Sequence, residues 1–112
     1  MSEEKNENMK KLLGACGLAK RAGKAAVGTE LACDAVRAGT AKLGIASESA
    51  SLNTKKKLDH CFSYYGVPLV YLKTDTAMLG ASVGKSETAC IAITDQNFAE
   101  LAFRYLNERK DG

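Results

Sequence analysis

The segment Gly80-Ala81-Ser82-Val83-Gly84-Lys85-Ser86 is the first place where residue types suggest chemistry, because glycines beside a lysine and a serine can cradle a phosphate. A phosphate loop needs four residues between its glycines, so that successive backbone N–H groups wrap the anion. Here there are three. Such a loop also follows a strand and opens a helix, whereas this segment is predicted to follow a helix and lead into a strand. Nucleoside triphosphate chemistry is therefore not expected at this loop. His60 is the single histidine. It falls on the predicted exposed side of a helix, where a surface role is favoured over that of a general base. Cys16, Cys33, Cys61 and Cys90 fit no paired metal-ligand spacing. Each lies on or near an apolar stripe, where a free cysteine behaves as a small hydrophobe. The carboxylates are scattered. No catalytic residue, metal ligand set or cofactor is expected, and the chain reads as non-enzymatic.

What remains is positive charge near a helix start. Lys20, Arg21 and Lys24 lead into Gly28-Thr29, where the threonine hydroxyl can cap the free N–H groups of a first turn. A helix N-terminus attracts anions, so cations and N–H groups are expected to converge there on one phosphate path. Basic residues in the last turn of a preceding helix also complement its dipole, which gives Lys20 and Arg21 a structural reading beside the functional one. Lys55, Lys56 and Lys57 are predicted to begin a later helix, where lysine opposes the dipole, and that misfit also points to a ligand.

The elements that must position these groups follow from periodicity. Met9, Leu12, Leu13, Cys16 and Ala19 mark a first helix ending near Gly23. Gly14 and Gly17 inside it each cost roughly 1 kcal/mol of propensity, which close packing or close approach of a partner would explain. Ala25-Ala26-Val27 is a short strand. The second helix carries Leu31, Ala32, Ala35 and Val36 at helical spacing, with Glu30 in its first turn, and Gly39 stops it. Leu43, Ile45 and Ala46 suit a strand buried on both faces. After the polar loop SESASLNT, a third helix presents Leu58, Cys61, Phe62 and Tyr65 to the core, and Gly66 ends it. A strand over Leu69–Leu72 follows Pro68, which sits at its edge. Asp75 caps a short helix through Leu79, GASVGKSE is a loop, and Thr88–Ile93 is a further buried strand. Thr94-Asp95 caps the last helix, whose core face is Phe98, Leu101, Ala102 and Tyr105. Strands alternating with helices argue for a layered α/β/α sandwich around a parallel or mixed sheet.

Length and charge bound the rest. A chain of 112 residues makes one domain with a modest core. It divides into a disordered lead-in over 1–8, a single domain over 9–108 and a polar tail over 109–112. The net charge is only +3, but ten basic and three acidic residues lie between Met9 and Lys57, and the remainder from Leu58 is net negative. One basic half on a near-neutral chain marks a candidate polyanion binder. No apolar run is long enough to span a membrane, and the N-terminus is acidic rather than signal-like, so a cytoplasmic protein is expected.

The segments LLGACGLAKRAGKAAVGTELACDAVRAGTAKLGIAS, NTKKKL, YYGVPL, LG and CIAITD resemble the kink-turn RNA-binding ribosomal protein family, of large-subunit L-seven-Ae and L-thirty-e type, and its small bacterial members. The resemblance covers nearly the whole chain after residue 8. It implies a three-layer α/β/α sandwich with a small, mostly central mixed sheet. In that fold the second helix start and a loop before the last strand grip a kinked RNA. The family's helix start typically reads glycine, any residue, asparagine, glutamate, then lysine three positions on, and these reach bases beside sheared G·A pairs. Gly28 and Thr29 fit the opening; Glu30 takes the asparagine position, Leu31 the glutamate position and Asp34 the lysine position. The second RNA-contacting loop corresponds to Gly84, Lys85, Ser86, Glu87 and Thr88, with Glu87 where members often carry small, apolar or basic residues. The expected function is a ribosome-associated RNA binder with altered base-reading positions, its partners structured RNA and ribosomal or translation-factor proteins. The alternative is a protein-interaction module of the translation machinery that has lost specific RNA binding.

Overall fold

The structure is a computed structural model that describes the backbone of residues 2–108 and the side chains of residues 7–107; Met1 and the tail 109–112 lie outside the described residues. Five helices alternate with four strands: α1 (Ser2–Arg21), β1 (Ala25–Val27), α2 (Thr29–Arg37), β2 (Leu43–Ser47), α3 (Leu52–Tyr64), β3 (Leu69–Leu72), α4 (Thr76–Ala81), β4 (Cys90–Ile93) and α5 (Gln96–Glu108). The sheet order is β1-β4-β2-β3. β4 is inserted between β1 and β2, antiparallel to both, while β2 and β3 run parallel. The sheet is therefore mixed, as expected.

Side-chain size decides which helices lie on which face. Leu43 and Ile45 of β2 and Ile91 and Ile93 of β4 point into a core shared with Leu12, Cys16 and Ala19 of α1, Leu79 of α4, and Ala99 and Ala102 of α5. The alternate residues are small: Ala46, Cys90 and Ala92 face Ala32, Cys33 and Val36 of α2 and Leu58, Cys61 and Phe62 of α3. Gly44 makes this second layer tight, since a Cβ there would lie 2.4 Å from the Phe62 ring. Burying Phe62 in that recess contributes about 1.5–3 kcal/mol of transfer free energy. The result is a three-layer α/β/α sandwich.

Several boundaries correct the sequence reading. α1 begins at Ser2, inside the segment expected to be a disordered lead-in. α3 begins at Leu52, because Ser51 caps it by accepting the Thr54 N–H. Lys55–Lys57 therefore lie a turn inside the helix rather than at its start. Tyr65 is the C-cap of α3 and 47% exposed, not a core residue. α4 continues to Ala81, and β4 starts at Cys90 rather than Thr88. On α5 the buried residues are Ala99 and Ala102, with Phe98, Phe103, Tyr105 and Leu106 packed around them in place of Leu101. Gly17 is explained by packing: a Cβ would lie 2.6 Å from the Ser82 carbonyl oxygen, whereas Gly14 faces open space.

Candidate nucleic-acid interface

The register brings one end of the sheet into focus. Val27 pairs with Ile91, Ala46 with Cys90, and Ser47 with Leu72. β1, β2 and β3 thus finish where β4 begins. Each is followed there by a helix, so α2, α3 and α4 all start at this carboxyl end of the sheet. Helix starts present unpaired N–H groups and the positive ends of their dipoles.

The α2 start is built by Gly28, with φ 101° and ψ 154°, a conformation essentially restricted to glycine. The Gly28 N–H donates to the Cys90 carbonyl at 2.8 Å, and the Gly28 carbonyl accepts from the Ala32 N–H at 2.8 Å. The cap is thus Gly28, not Thr29, which is the first residue of the helix. Threonine is displaced from the capping role because only glycine makes this bend. No side chain among the described residues caps α2.

The loop between α4 and β4 is pinned beside that start. Gly84 takes φ +77°, the Lys85 N–H donates to the Gly80 carbonyl at 2.9 Å, and the Thr88 N–H donates to the Thr76 carbonyl at 3.0 Å. The Thr76 hydroxyl donates to Glu87 at 3.1 Å. Thr88 is buried and its hydroxyl donates to the Cys90 carbonyl. Gly80 admits the Glu87 backbone, which would lie 2.5 Å from a Cβ there. The buried Ser47 ties in the neighbouring turn, donating to the Thr74 carbonyl and accepting from the Ser49 N–H at 3.0 Å. Ser47 and Thr76 were not singled out from sequence. Their only signal was the density of hydroxyls after the strand.

On α2, Glu30, Leu31 and Asp34 are all exposed. Glu30 is bound by the Lys57 ammonium from α3. That hydrogen bond holds the Glu30 carboxyl below the usual carboxylate range, and Glu30 in turn raises Lys57. Asp34 accepts from Arg37 at 3.0 Å within the helix. Both carboxylates are thus partly neutralised by cations of the same chain. Leu31 is 58% exposed in the first turn of α2; Leu52 (67%) and Met78 (57%) take similar positions in α3 and α4.

The lysine groups separate. Lys24 donates its N–H to the Ala19 carbonyl and accepts from the Thr94 N–H, and the Lys42 N–H donates to the Ile93 carbonyl. Both residues therefore sit at the opposite, amino end of the sheet, with Lys20 and Arg21 at the end of α1. The expected convergence of Lys20, Arg21 and Lys24 with Gly28-Thr29 does not occur. β1 intervenes, and about 3.3 Å per strand residue puts Lys24 and Gly28 about 13 Å apart. Lys55 places its ammonium 5.8 Å from the centre of the Tyr71 ring, with its carbonyl accepting from the Tyr71 hydroxyl at 3.3 Å. Lys56 stays exposed. The four cysteines are buried, and burial pushes the Cys16 thiol up to about 12. Among the described residues no group of His, Cys, Asp and Glu is placed to hold a metal ion, and no helix is long and apolar enough to cross a membrane.

The chain is similar to known proteins. The profile of the Ribosomal protein L7Ae/L30e/S12e/Gadd45 family matches residues 10–103. The RNA-binding protein YlxQ of Bacillus subtilis (strain 168) is 44% identical over 84 residues, covering 74% of this chain and 82% of that protein. The RNA-binding protein YlxQ of Enterococcus faecium is 38% identical over 93 residues, covering 83% and 88%. A solved structure of a protein of unknown function from Bacillus halodurans C superposes with a TM-score of 0.79 at 33% identity, covering 87% of this chain and 97% of that one. The Giardia lamblia 15.5kD RNA binding protein, at 20% identity, shares the fold with a TM-score of 0.76 over 91% of this chain and 87% of its own.

Proposed function

This chain belongs to the Ribosomal protein L7Ae/L30e/S12e/Gadd45 family, and from that premise we propose that it is a non-enzymatic, cytoplasmic, ribosome-associated RNA-binding protein. The observation that carries the reading is the carboxyl end of the sheet. There the α2 start at Gly28, with no side-chain cap among the described residues, lies beside the pinned Gly84–Thr88 loop. The N–H groups of Thr29, Glu30 and Leu31 receive a phosphate, and Lys85 and Ser86 flank it. The RNA is structured, and it is read by altered positions. Leu31 offers apolar contact where the family carries an acceptor. Glu30 and Asp34, held by Lys57 and Arg37, offer no amide or ammonium donor.

The test is a gel shift with a kink-turn hairpin and a control hairpin lacking its G·A pairs. We expect binding to both with less than about tenfold preference, since each missing base contact removes on the order of 1–3 kcal/mol of discrimination, a scale borrowed from base recognition in DNA. Changing Glu30→Asn, Leu31→Glu and Asp34→Lys together should restore a large preference for the kink-turn. Nanomolar, discriminating binding by the wild type would overturn the altered-reading part. A second reading is favoured by the exposed Leu31, Leu52 and Met78 at the three helix starts: a protein-interaction module of the translation machinery. Binding that does not weaken with salt would support it, because phosphate contacts release counterions.

A further inference from the structure

Beyond the carboxyl end, the molecule has a basic and aromatic groove that the family's recognition loops do not include. It runs between α2 and α3, has a volume of about 520 Å³, and is lined by Arg37, Lys56, Lys57, His60, Tyr64 and Tyr65. This volume falls within the about 300–1,000 Å³ of small-ligand sites. Its rings are available: Tyr64 is 75% exposed and Tyr65 47%. They meet edge-on at 4.9 Å between centroids, and His60 stacks at 6.3 Å from Tyr64 with 22° between planes.

A single exposed tyrosine is unremarkable on a protein surface. Three neighbouring rings beside three cations make a different surface, because unpaired nucleotides are held by stacking on aromatic faces with cations along their phosphates. The α2 rim carries Glu30 and Asp34, which occupy Lys57 and Arg37; Lys56 takes part in no ion pair among the described residues. The helix dipole orders the groove further. Tyr64 ends α3 and Tyr65 is its C-cap, where carbonyls repel phosphate, so the base belongs at the tyrosines and the phosphate towards Lys56 and Lys57. Lys57 reaches Glu30 in the first turn of α2, so the groove opens where the carboxyl-end site stops. Seven residues of α3, about 10 Å, separate Lys57 from Tyr64.

We propose that this groove seats an unpaired base of a single-stranded RNA segment that continues from the structured RNA at the carboxyl end. The proposal rests on the RNA-binding reading above but uses different residues.

The experiment measures fluorescence anisotropy at fixed salt with three probes: a hairpin, the same hairpin with a single-stranded adenosine tail, and the free tail oligonucleotide. In the wild type the tail should tighten hairpin binding on the order of tenfold, the scale of one stacked base. Tyr64→Leu should abolish that gain and leave tailless-hairpin affinity unchanged. The Tyr64 side chain is exposed, and an unchanged melting curve confirms that the variant is folded. A tail that adds nothing, or a gain that survives the variant, overturns the proposal. If the hairpin itself is not bound, the reading of the carboxyl end fails, and the free oligonucleotide then decides the groove alone. Binding lost in the variant upholds the groove; absent or unaltered binding overturns it. Competition by adenosine monophosphate equal to that of the oligonucleotide would mean that the groove takes free nucleotides, and would overturn the strand assignment.

Discussion

Glu30 shows how one residue's meaning changes once its neighbours are known. From sequence it is an acid in a first helical turn, facing an expected RNA backbone. In the structure the Lys57 ammonium, delivered from α3, is bound to it. The ion pair is exposed, with 75% of the Glu30 side chain accessible, so its worth to stability is small. Its sign is nonetheless defined. A carboxyl with a lowered folded-state pKa contributes stability above its unfolded pKa and loses it as pH falls through the folded one. An NMR titration of the side-chain carboxyl carbon should place the Glu30 midpoint below the ordinary glutamate range. Lys57→Met should return it to that range, and an unshifted wild-type midpoint would mean that the pair does not persist in solution. No single-residue pattern could have located this contact, because Glu30 and Lys57 meet only when α2 and α3 pack side by side.

At the scale of elements, capping chemistry was readable at two of the side-chain caps, while Ser51, which caps α3, was hidden in a loop dense in hydroxyls. Asp75 accepts the Met78 N–H at 2.7 Å and Asp95 the Phe98 N–H at 3.0 Å, as their positions before helical runs suggested. The α2 start was misassigned by one residue because its cap is a backbone conformation of Gly28 and leaves no hydroxyl signature. The two glycines of α1 could not be told apart by propensity, yet packing separates them. Gly14→Ala should stabilise the protein by about 1 kcal/mol, the propensity gain of an open helical site. Gly17→Ala gains the same propensity but forces a methyl to 2.6 Å from the Ser82 carbonyl oxygen, an overpacking that costs about 1–3 kcal/mol. Thermal melts should therefore rise for the first variant, by about 4–8 °C for each kcal/mol, and stay level or fall for the second. A Gly17→Ala melt as high as that of Gly14→Ala would show that α1 does not press on the end of α4.

For the whole molecule, the decisive fact is that a three-residue strand separates two basic regions that adjoin in sequence. The run from Lys20 to Thr29 reads as one charged approach to a helix start, but β1 carries the chain from one end of the sheet to the other. Strand order could not be read from periodicity, and without it the ends of the molecule could not be assigned. Lys20, Arg21 and Lys24 consequently form a face with Lys42 at the amino end, while Gly28, Lys85 and Ser86 lie at the carboxyl end. About 13 Å between Lys24 and Gly28, taken at about 3.3 Å per residue, exceeds the Debye length of about 10 Å at 0.1 M salt. A short hairpin gripped at the carboxyl end is therefore largely screened from the amino-end cations. The slope of log affinity against log salt reports this directly, since each lost phosphate contact reduces it by about one unit. Replacing Lys20, Arg21 and Lys24 by glutamine should leave the hairpin's slope within about one unit of wild type. Lys85→Gln alone should lower it by about one unit. A fall of two to three units in the triple variant, with its fold intact, would instead mean that the RNA spans both ends of the sheet and that the amino-end lysines are a second phosphate face.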